Sequence, residues 1–320
     1  MSKPVRVYLC SDLHAAERAW RKFLNATRAN LYGADIALIA GDLTGKAIVP
    51  ILRVDGRYEA EVLGARRVAR TEAELAALER EIADIGYYSV IGTAEETAAL
   101  AADPAARRTL FERLMAERLE AWLALANERL AGSSVPVYLM PGNDDDFSID
   151  AILDRPGWAT TNANERVLDL PGGLQLAAMG WSSPTPWKTP RELEEEEFLD
   201  RLATLLAPVR DLRRTIVMTH VPPYDTGLDK APLLDPSLRP TVSAGDVLRG
   251  PVGSHGVRAA IERYKPLLGA HGHIHESGGE ARLGTTLCLN AGSEANHGVL
   301  RGYIVDIGAA GIERWMRVEG

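Results

Sequence analysis

Cysteine is nearly missing from this chain: there are two in 320 residues, Cys10 and Cys288, each inside an apolar, strand-like run (VYLC, TTLCLN). That excludes a disulfide framework and predicts buried thiols in a reducing cytoplasm. Long hydrophobic runs are missing too. Ile36 to Ala40 is typical of the longest, far short of the ~20 residues that cross a bilayer. The first residues, MSKPVRVYLCSD, pass directly into a strand-like run, too brief for a secretory signal and without a small-residue cleavage site. No block of basic residues occurs, and the net charge is −8. A protein that follows an extended nucleic acid needs clustered Lys and Arg. Neither a membrane nor extended nucleic acid is therefore an expected partner, whereas a small anion held by a local positive site is compatible. The sequence leaves the number of copies open, a homodimer included. What remains is ordinary globular composition, 46% hydrophobic and 25% charged, in a length that suits one large domain or two smaller ones.

Short apolar runs recur along the chain: Val5–Cys10, Ile36–Ala40, Val135–Met140, Leu174–Met179, Thr215–Thr219, Leu267–Ala270, Thr286–Asn290 and Tyr303–Ile307. Their length, β-branched content and trailing turn residues predict buried strands. Helical patterns lie between them. Arg18 to Leu31 is one. Thr71 to Ile85 is another, with Thr71 and Glu74 spaced as a capping box. Asp103-Pro104 opens a long amphipathic helix to about Leu130. Arg191 to Leu206 is a fourth, and Ser254 caps a fifth that runs to about Tyr264. Strands alternating with helices predict an α/β protein. The chain reads as a single domain, 1–320, in which the stretch 46–132, rich in Ala, Glu and Arg, is a mostly helical insertion placed to cover a site.

Polar residues gather at the strand ends. The runs finish in Ser11-Asp12-Leu13-His14, Gly41-Asp42-Leu43-Thr44-Gly45, Pro141-Gly142-Asn143-Asp144-Asp145, Thr219-His220, Gly272-His273-Ile274-His275 and Asn290-Ala291-Gly292-Ser293. In extended chain, residues i and i+2 point to one side, so Asp12 and His14 aim together, as do His273 and His275. Ligands of α/β sheets collect beyond the carboxyl ends of strands. Asp12, His14, Asp42, Asn143, His220, His273 and His275 supply two carboxylates, an amide oxygen and four imidazoles. Such mixed N/O donors suit Mn, Fe, Co, Ni or Zn rather than Ca. Seven donors serve two metals if one carboxylate bridges. Taken singly, each motif is more often a turn, a helix cap or a buried imidazole; their order, all at strand ends, carries the argument.

This set, in this order, resembles the calcineurin-like metallophosphoesterase superfamily, and most of all the Icc-related predicted phosphoesterases of bacteria and archaea. The resemblance covers about 5–45, 135–146 and 215–305. It rests further on Gly45-Lys46, on SHGVRAAIERYKP (Ser254 to Pro266) leading into GAHGHIHES, and on LNAGS at Leu289 to Ser293. It implies a four-layer αββα sandwich of two mixed sheets. It implies two divalent metal ions, manganese first and Fe, Zn, Ni or Co as alternatives. Asp12, His14, Asp42 and His275 would hold one ion, and Asp42, Asn143, His220 and His273 the other. It implies hydrolysis of a phosphoester by a metal-bound hydroxide.

One position departs from the family pattern. The common motif is G-N-H-D/E, and Asp144 stands where that His protonates the leaving oxygen or binds phosphate. Three readings are open: Asp144 as a metal or water contact, another group such as His255 or His271 as proton donor, or a leaving group that needs little protonation. Asp144 and His255 are the catalytic candidates. A diester carries less charge than a monoester and tolerates an added carboxylate better, so the expected substrate is a small, nucleotide-like phosphodiester. The alternatives are a non-catalytic interaction module on the same fold, and a phosphomonoesterase or nuclease with the same metal site.

Overall fold

Alternation within the strand Val5–Cys10 sets the layering. Val7 and Leu9 point to one face, Tyr8 and Cys10 to the other, and all four are buried. A strand covered on both faces belongs inside a layered α/β protein. The computed structural model describes residues 3–243 and 245–320. It is a mixed α/β sandwich. One six-stranded sheet has the order Ile312–Glu319, Arg301–Ile307, Val5–Cys10, Ile36–Ile39, Val137–Leu139, Thr160–Asn162. The other runs Gly279–Leu283, Thr286–Asn290, Leu268–His271, Thr215–Thr219, Leu174–Met179, Arg166–Leu170. Each contains a parallel block, with antiparallel strands at an edge.

Val7, Leu9, Ile36 and Leu38 of the first sheet pack against Leu176, Ile216, Met218, Leu268 and Leu289 of the second. Each such fully buried aliphatic side chain contributes ~1.5–3 kcal/mol relative to exposure. Tyr8, Cys10 and Ile39 face the opposite way, onto helices Glu17–Arg28 and Pro104–Arg129. There Trp20 and Trp122 stack with ring centroids 4.9 Å apart. On the far side of the second sheet lie helices Glu195–Leu206 and His255–Tyr264, which bury Phe198, Leu202, Val257 and Ile261. The layers are helix, sheet, sheet, helix, as the resemblance implies.

Helix boundaries follow local chemistry. Asp103 accepts hydrogen bonds from the N–H groups of Ala105 and Ala106, with Pro104 first in the helix. Ser254 accepts from the Val257 N–H. Thr71 accepts from the Glu74 N–H, but Glu74 reaches back to the Arg70 N–H rather than to Thr71, so the box is half formed.

The segment 46–132 holds a sheet beside its helices: Ala65–Ala69, Arg57–Val62, Ile48–Val54 and Tyr88–Gly92 form four strands in that order, covered by helix Glu72–Asp84. And its longest helix, Pro104–Arg129, is no cap, since Met115, Leu119, Trp122 and Leu123 belong to the outer core of the first sheet. The inserted sheet does meet the strand-end loops, where the Tyr88 hydroxyl accepts from the Gly45 N–H at 2.8 Å.

Candidate metal centre

All the strand-end motifs emerge along one edge of the sandwich. Asp12 and His14 follow Val5–Cys10, Asp42 follows Ile36–Ile39, and Asn143 follows Val137–Leu139, all from the first sheet. His220 follows Thr215–Thr219, and His273 and His275 follow Leu268–His271, from the second. The structure thus brings all seven sequence-predicted donors together across the gap between the two sheets.

Extended chain is not what aims them. Asp12 (φ 56°), His14 (φ 44°), Asp42 (φ 53°) and His273 (φ 66°) all adopt left-handed backbone, unusual for residues with a Cβ. Backbone bonds overdetermine these turns: Asp12 N–H to Gly41 O, His14 N–H to Asp42 O, and Ala15 N–H to Leu43 O, at 2.8–3.0 Å. Left-handed residues held in place in this way recur at functional sites.

Asp42 Oδ1 accepts the Asp144 N–H at 3.1 Å. Its other oxygen, Oδ2, lies 3.4 Å from His14 Nε2 and 3.3 Å from His220 Nε2. On the first side, His14 Nε2 is 2.9 Å from His275 Nε2, which is 3.3 Å from Asp12 Oδ1. Donor atoms of Asp12, His14, Asp42 and His275 all fall within 4.8 Å of one another. On the second side, His220 Nε2 is 2.9 Å from Asn143 Oδ1, and the His220 and His273 rings are 5.1 Å apart. The Asp12 carboxylate also accepts the His273 N–H at 3.0–3.1 Å, which ties the two sheets together.

These residues fit a divalent metal. Two ligands about 2.1 Å from one ion stand roughly 3–3.4 Å apart, the spacing seen here. The donors are imidazole nitrogens and oxygens with no thiolate, since both cysteines are buried within strands and Cys10 faces the helix layer. Asp12 and Asp42 are almost fully buried, and among the described residues neither has an Arg or Lys within 4.0 Å. Buried carboxylates without such partners draw positive charge from a neighbouring imidazolium or from a bound cation.

The histidines divide by charge. Burial pushes His220 down, but the carboxylates of Asp42 and Asp12 more than offset it, raising its pKa to about 10. His275 is likewise raised by Asp12 against the effect of burial. Burial, with the charge of Lys46, lowers His14 to about 3; burial, with the charge of His220, lowers His273 to about 3. Asp42 stays well below the ordinary carboxylate range because His220 and His14 outweigh its burial. His220 Nδ1 donates to Ala40 O at 2.8 Å, which turns Nε2 toward Asp42 and Asn143.

A supporting layer locks the loops. Asp145 accepts from the N–H groups of Leu43, Thr44 and Gly142 and from the Thr44 hydroxyl, at 2.6–2.9 Å. Buried Arg191 donates to Asp145 O and Asp146 O and pairs with Asp150. Close approach also demands glycine. A Cβ at Gly142 would sit 2.2 Å from Asp42 Oδ1, and one at Gly272 would sit 2.3 Å from Asp12 Oδ2.

The catalytic candidates separate. Asp144 lies at the site but is paired with Lys46, its Oδ2 2.6 Å from Nζ. Burial and the charge of Asp42 raise its pKa to about 6, against the opposing charge of Lys46. His255 is exposed on the first turn of its helix and stacks on Tyr224 at 3.8 Å; among the described residues it has no hydrogen bond or ion pair to the seven donors. His271 is buried against Thr219, with Nδ1 2.9 Å from the Thr219 hydroxyl. Two contributors were not visible as site residues in the sequence. Thr189 receives the Asn143 amide, and Lys46 pairs with Asp144. Three arginines of the insertion pair with neighbouring acids, Arg66 with Glu59, Arg67 with Glu81 and Arg108 with Glu112.

Together these features define a two-sheet α/β sandwich with a buried Asp/His cluster, able to hold metal, at one edge. No family model matches the chain. The uncharacterized protein MJ1162 of Methanocaldococcus jannaschii is 29% identical over 167 residues, 51% of this chain and 67% of that protein. One solved structure superposes over 99% of both chains with a TM-score of 0.60 at 14% identity. TT1561 of Thermus thermophilus superposes over 99% of this chain and 98% of its own, with a TM-score of 0.53 at 15% identity. At these identities the two structures establish the shared fold. No helix among the described residues is long and apolar enough to cross a membrane.

Proposed function

We propose that the protein is a dinuclear-metal phosphoester hydrolase of the calcineurin-like kind, acting in the cytoplasm on a small phosphodiester, with manganese as the first candidate ion. The observation that carries this reading is the position of Asp42. Its Oδ2 lies between His14 on one side and His220 on the other, where a carboxylate shared by two ions belongs. Asp12, His14, Asp42 and His275 would hold one cation; Asp42, Asn143, His220 and His273 the other. Such a pair supplies a water acidified toward neutrality and positive charge for phosphoryl oxygens.

The chain's own residues do the rest. His220 is held in one orientation by Ala40 O, and Asn143 by Thr189, so each presents a fixed donor atom. Asp145 and Arg191 keep the loop that carries Asn143 from shifting. Preorganisation of this kind removes reorganisation from the reaction itself. Trp187, 63% exposed, lies two residues from Thr189 on the loop that meets Asn143. A flat, nucleotide-like leaving group that reached this loop would meet an aromatic surface.

The test is turnover of bis(p-nitrophenyl) phosphate and p-nitrophenyl phosphate by protein reconstituted with manganese. The reading expects diester hydrolysis that chelation abolishes and manganese restores. Metal-replete protein inert toward both esters would overturn it.

A further inference from the structure

Lys46 stands four residues after Asp42, where the chain leaves the site for the inserted sheet. Its ammonium is 2.6 Å from Asp144 Oδ2. Asp144 is itself anchored: its N–H donates to Asp42 Oδ1 at 3.1 Å, and its Oδ1 accepts from the Asn143 amide at 3.2 Å. One residue therefore ties the ion pair to both the central carboxylate and the amide donor. The Lys46 side chain keeps 48% of its surface exposed and Asp144 only 18%, so the lysine is the more open member of the pair. Its charge is felt at His14, Asp42, Asp12 and His275 alike. Among the described residues no other Lys or Arg forms an ion pair with Asp12, Asp42 or Asp144. An ammonium has three N–H donors, and one on Asp144 leaves two for a ligand.

We propose that Lys46 and Asp144 are a specificity-determining ion pair: Lys46 Nζ donates to a non-bridging phosphoryl oxygen, while Asp144 holds the ammonium and cancels its net charge, favouring a singly charged phosphodiester over a doubly charged monoester. The proposal rests on the phosphoester reading above. A lone lysine would attract the extra charge of a monoester; a lysine sharing its position with a carboxylate keeps the hydrogen bond and gives up that preference. Asp144 thus acts through Lys46 and the local field as a positioning residue.

The experiment compares manganese-loaded wild type, Lys46→Met, Lys46→Arg and Asp144→Asn. Each is analysed for metal content, titrated calorimetrically with inorganic phosphate, and assayed on bis(p-nitrophenyl) phosphate and p-nitrophenyl phosphate. Lys46→Met is expected to weaken phosphate binding by about tenfold, with a parallel rise in diester KM, a kcat within about threefold and unchanged metal content. Lys46→Arg is expected to recover most of that affinity. Asp144→Asn is expected to tighten phosphate binding and to lower the diester-to-monoester ratio of kcat/KM by about tenfold. Equal phosphate affinity in wild type and Lys46→Met, loss of metal in Lys46→Met, or an unchanged ratio in Asp144→Asn would each overturn the proposal. Should the metal-loaded wild type turn over neither ester, the hydrolase reading fails, and the phosphate titration still decides whether Lys46 is an oxyanion contact.

Discussion

The Thr189 hydroxyl accepts a 3.0 Å hydrogen bond from the Asn143 side-chain amide, and the contact aims the amide oxygen at His220. Thr189 gives its own proton to Glu192 Oε1 at 2.6 Å, so toward Asn143 it acts only as an acceptor. Asn143 must therefore present its NH2 to Thr189 and its oxygen to the metal side. Thr189→Val keeps the shape and removes the acceptor. The expected result is an intact fold and about tenfold weaker binding of one cation, the size of effect typical of groups that orient ligands. Competition against a chromogenic chelator measures it; unchanged affinity would show that Asn143 needs no such guide.

Gly142 gives a steric test of the same loop. A methyl group there would meet Asp42 Oδ1 at 2.2 Å and His220 Cε1 at 2.8 Å. Gly142→Ala must displace Asp42 or the loop, so metal content after manganese loading and dialysis should fall well below that of wild type. The far-UV circular dichroism should be nearly unchanged, because the sheets lie outside the clash.

Metal binding should depend on pH, with a sign set by His220. Burial lowers its proton affinity, but Asp42 and Asp12 overcome that and raise it to about 10, so His220 carries a proton at neutral pH. His14 and His273, lowered to about 3, carry none. Coordination needs the Nε2 lone pair, so binding must release the His220 proton, and affinity rises as pH rises, by up to about tenfold per unit for each proton released. Calorimetry in two buffers of different ionisation enthalpy at pH 7 should show net proton release. Affinity that is flat or falls between about pH 6 and 8 would contradict this.

The long helix Pro104–Arg129 should matter for stability rather than chemistry. Trp122 stacks on Trp20, accepts the Trp20 indole N–H on its carbonyl at 3.1 Å, and donates its own indole N–H to Glu17 at 3.0 Å. Trp122→Ala empties that space and should cost about 3–5 kcal/mol in unfolding free energy. Urea denaturation gives the value, and a loss below about 1 kcal/mol would mean the helix is a detachable cap after all.

The sandwich core was legible because its strands are short apolar runs with turn residues behind them: Val5–Cys10, Leu174–Met179, Thr215–Thr219 and Thr286–Asn290 coincide with the observed strands. The strands Arg57–Val62 and Ala65–Ala69 escaped because they are charged and half exposed, in a stretch whose Ala and Glu content reads as helix. The seven donors were legible from their place at strand ends. Their convergence has a different geometric cause from the expected one, since left-handed turns at Asp12, His14, Asp42 and His273 do what extended chain was expected to do. Thr189 was hidden in a Pro-rich loop whose path sequence does not reveal. His255 could not be placed from sequence, because a histidine after a helix cap looks the same whatever it faces; in the structure it stacks on Tyr224.

Metal stoichiometry tests the central claim most directly. Wild type and Asp42→Asn are loaded with excess manganese, dialysed and analysed by mass spectrometry of the metal. With Asp42 shared between both donor sets, wild type should retain two ions per chain, and Asp42→Asn, which keeps the shape but loses the bridging charge, one or fewer. Wild type that retains none under saturating manganese, or Asp42→Asn that retains as many as wild type, would contradict the account.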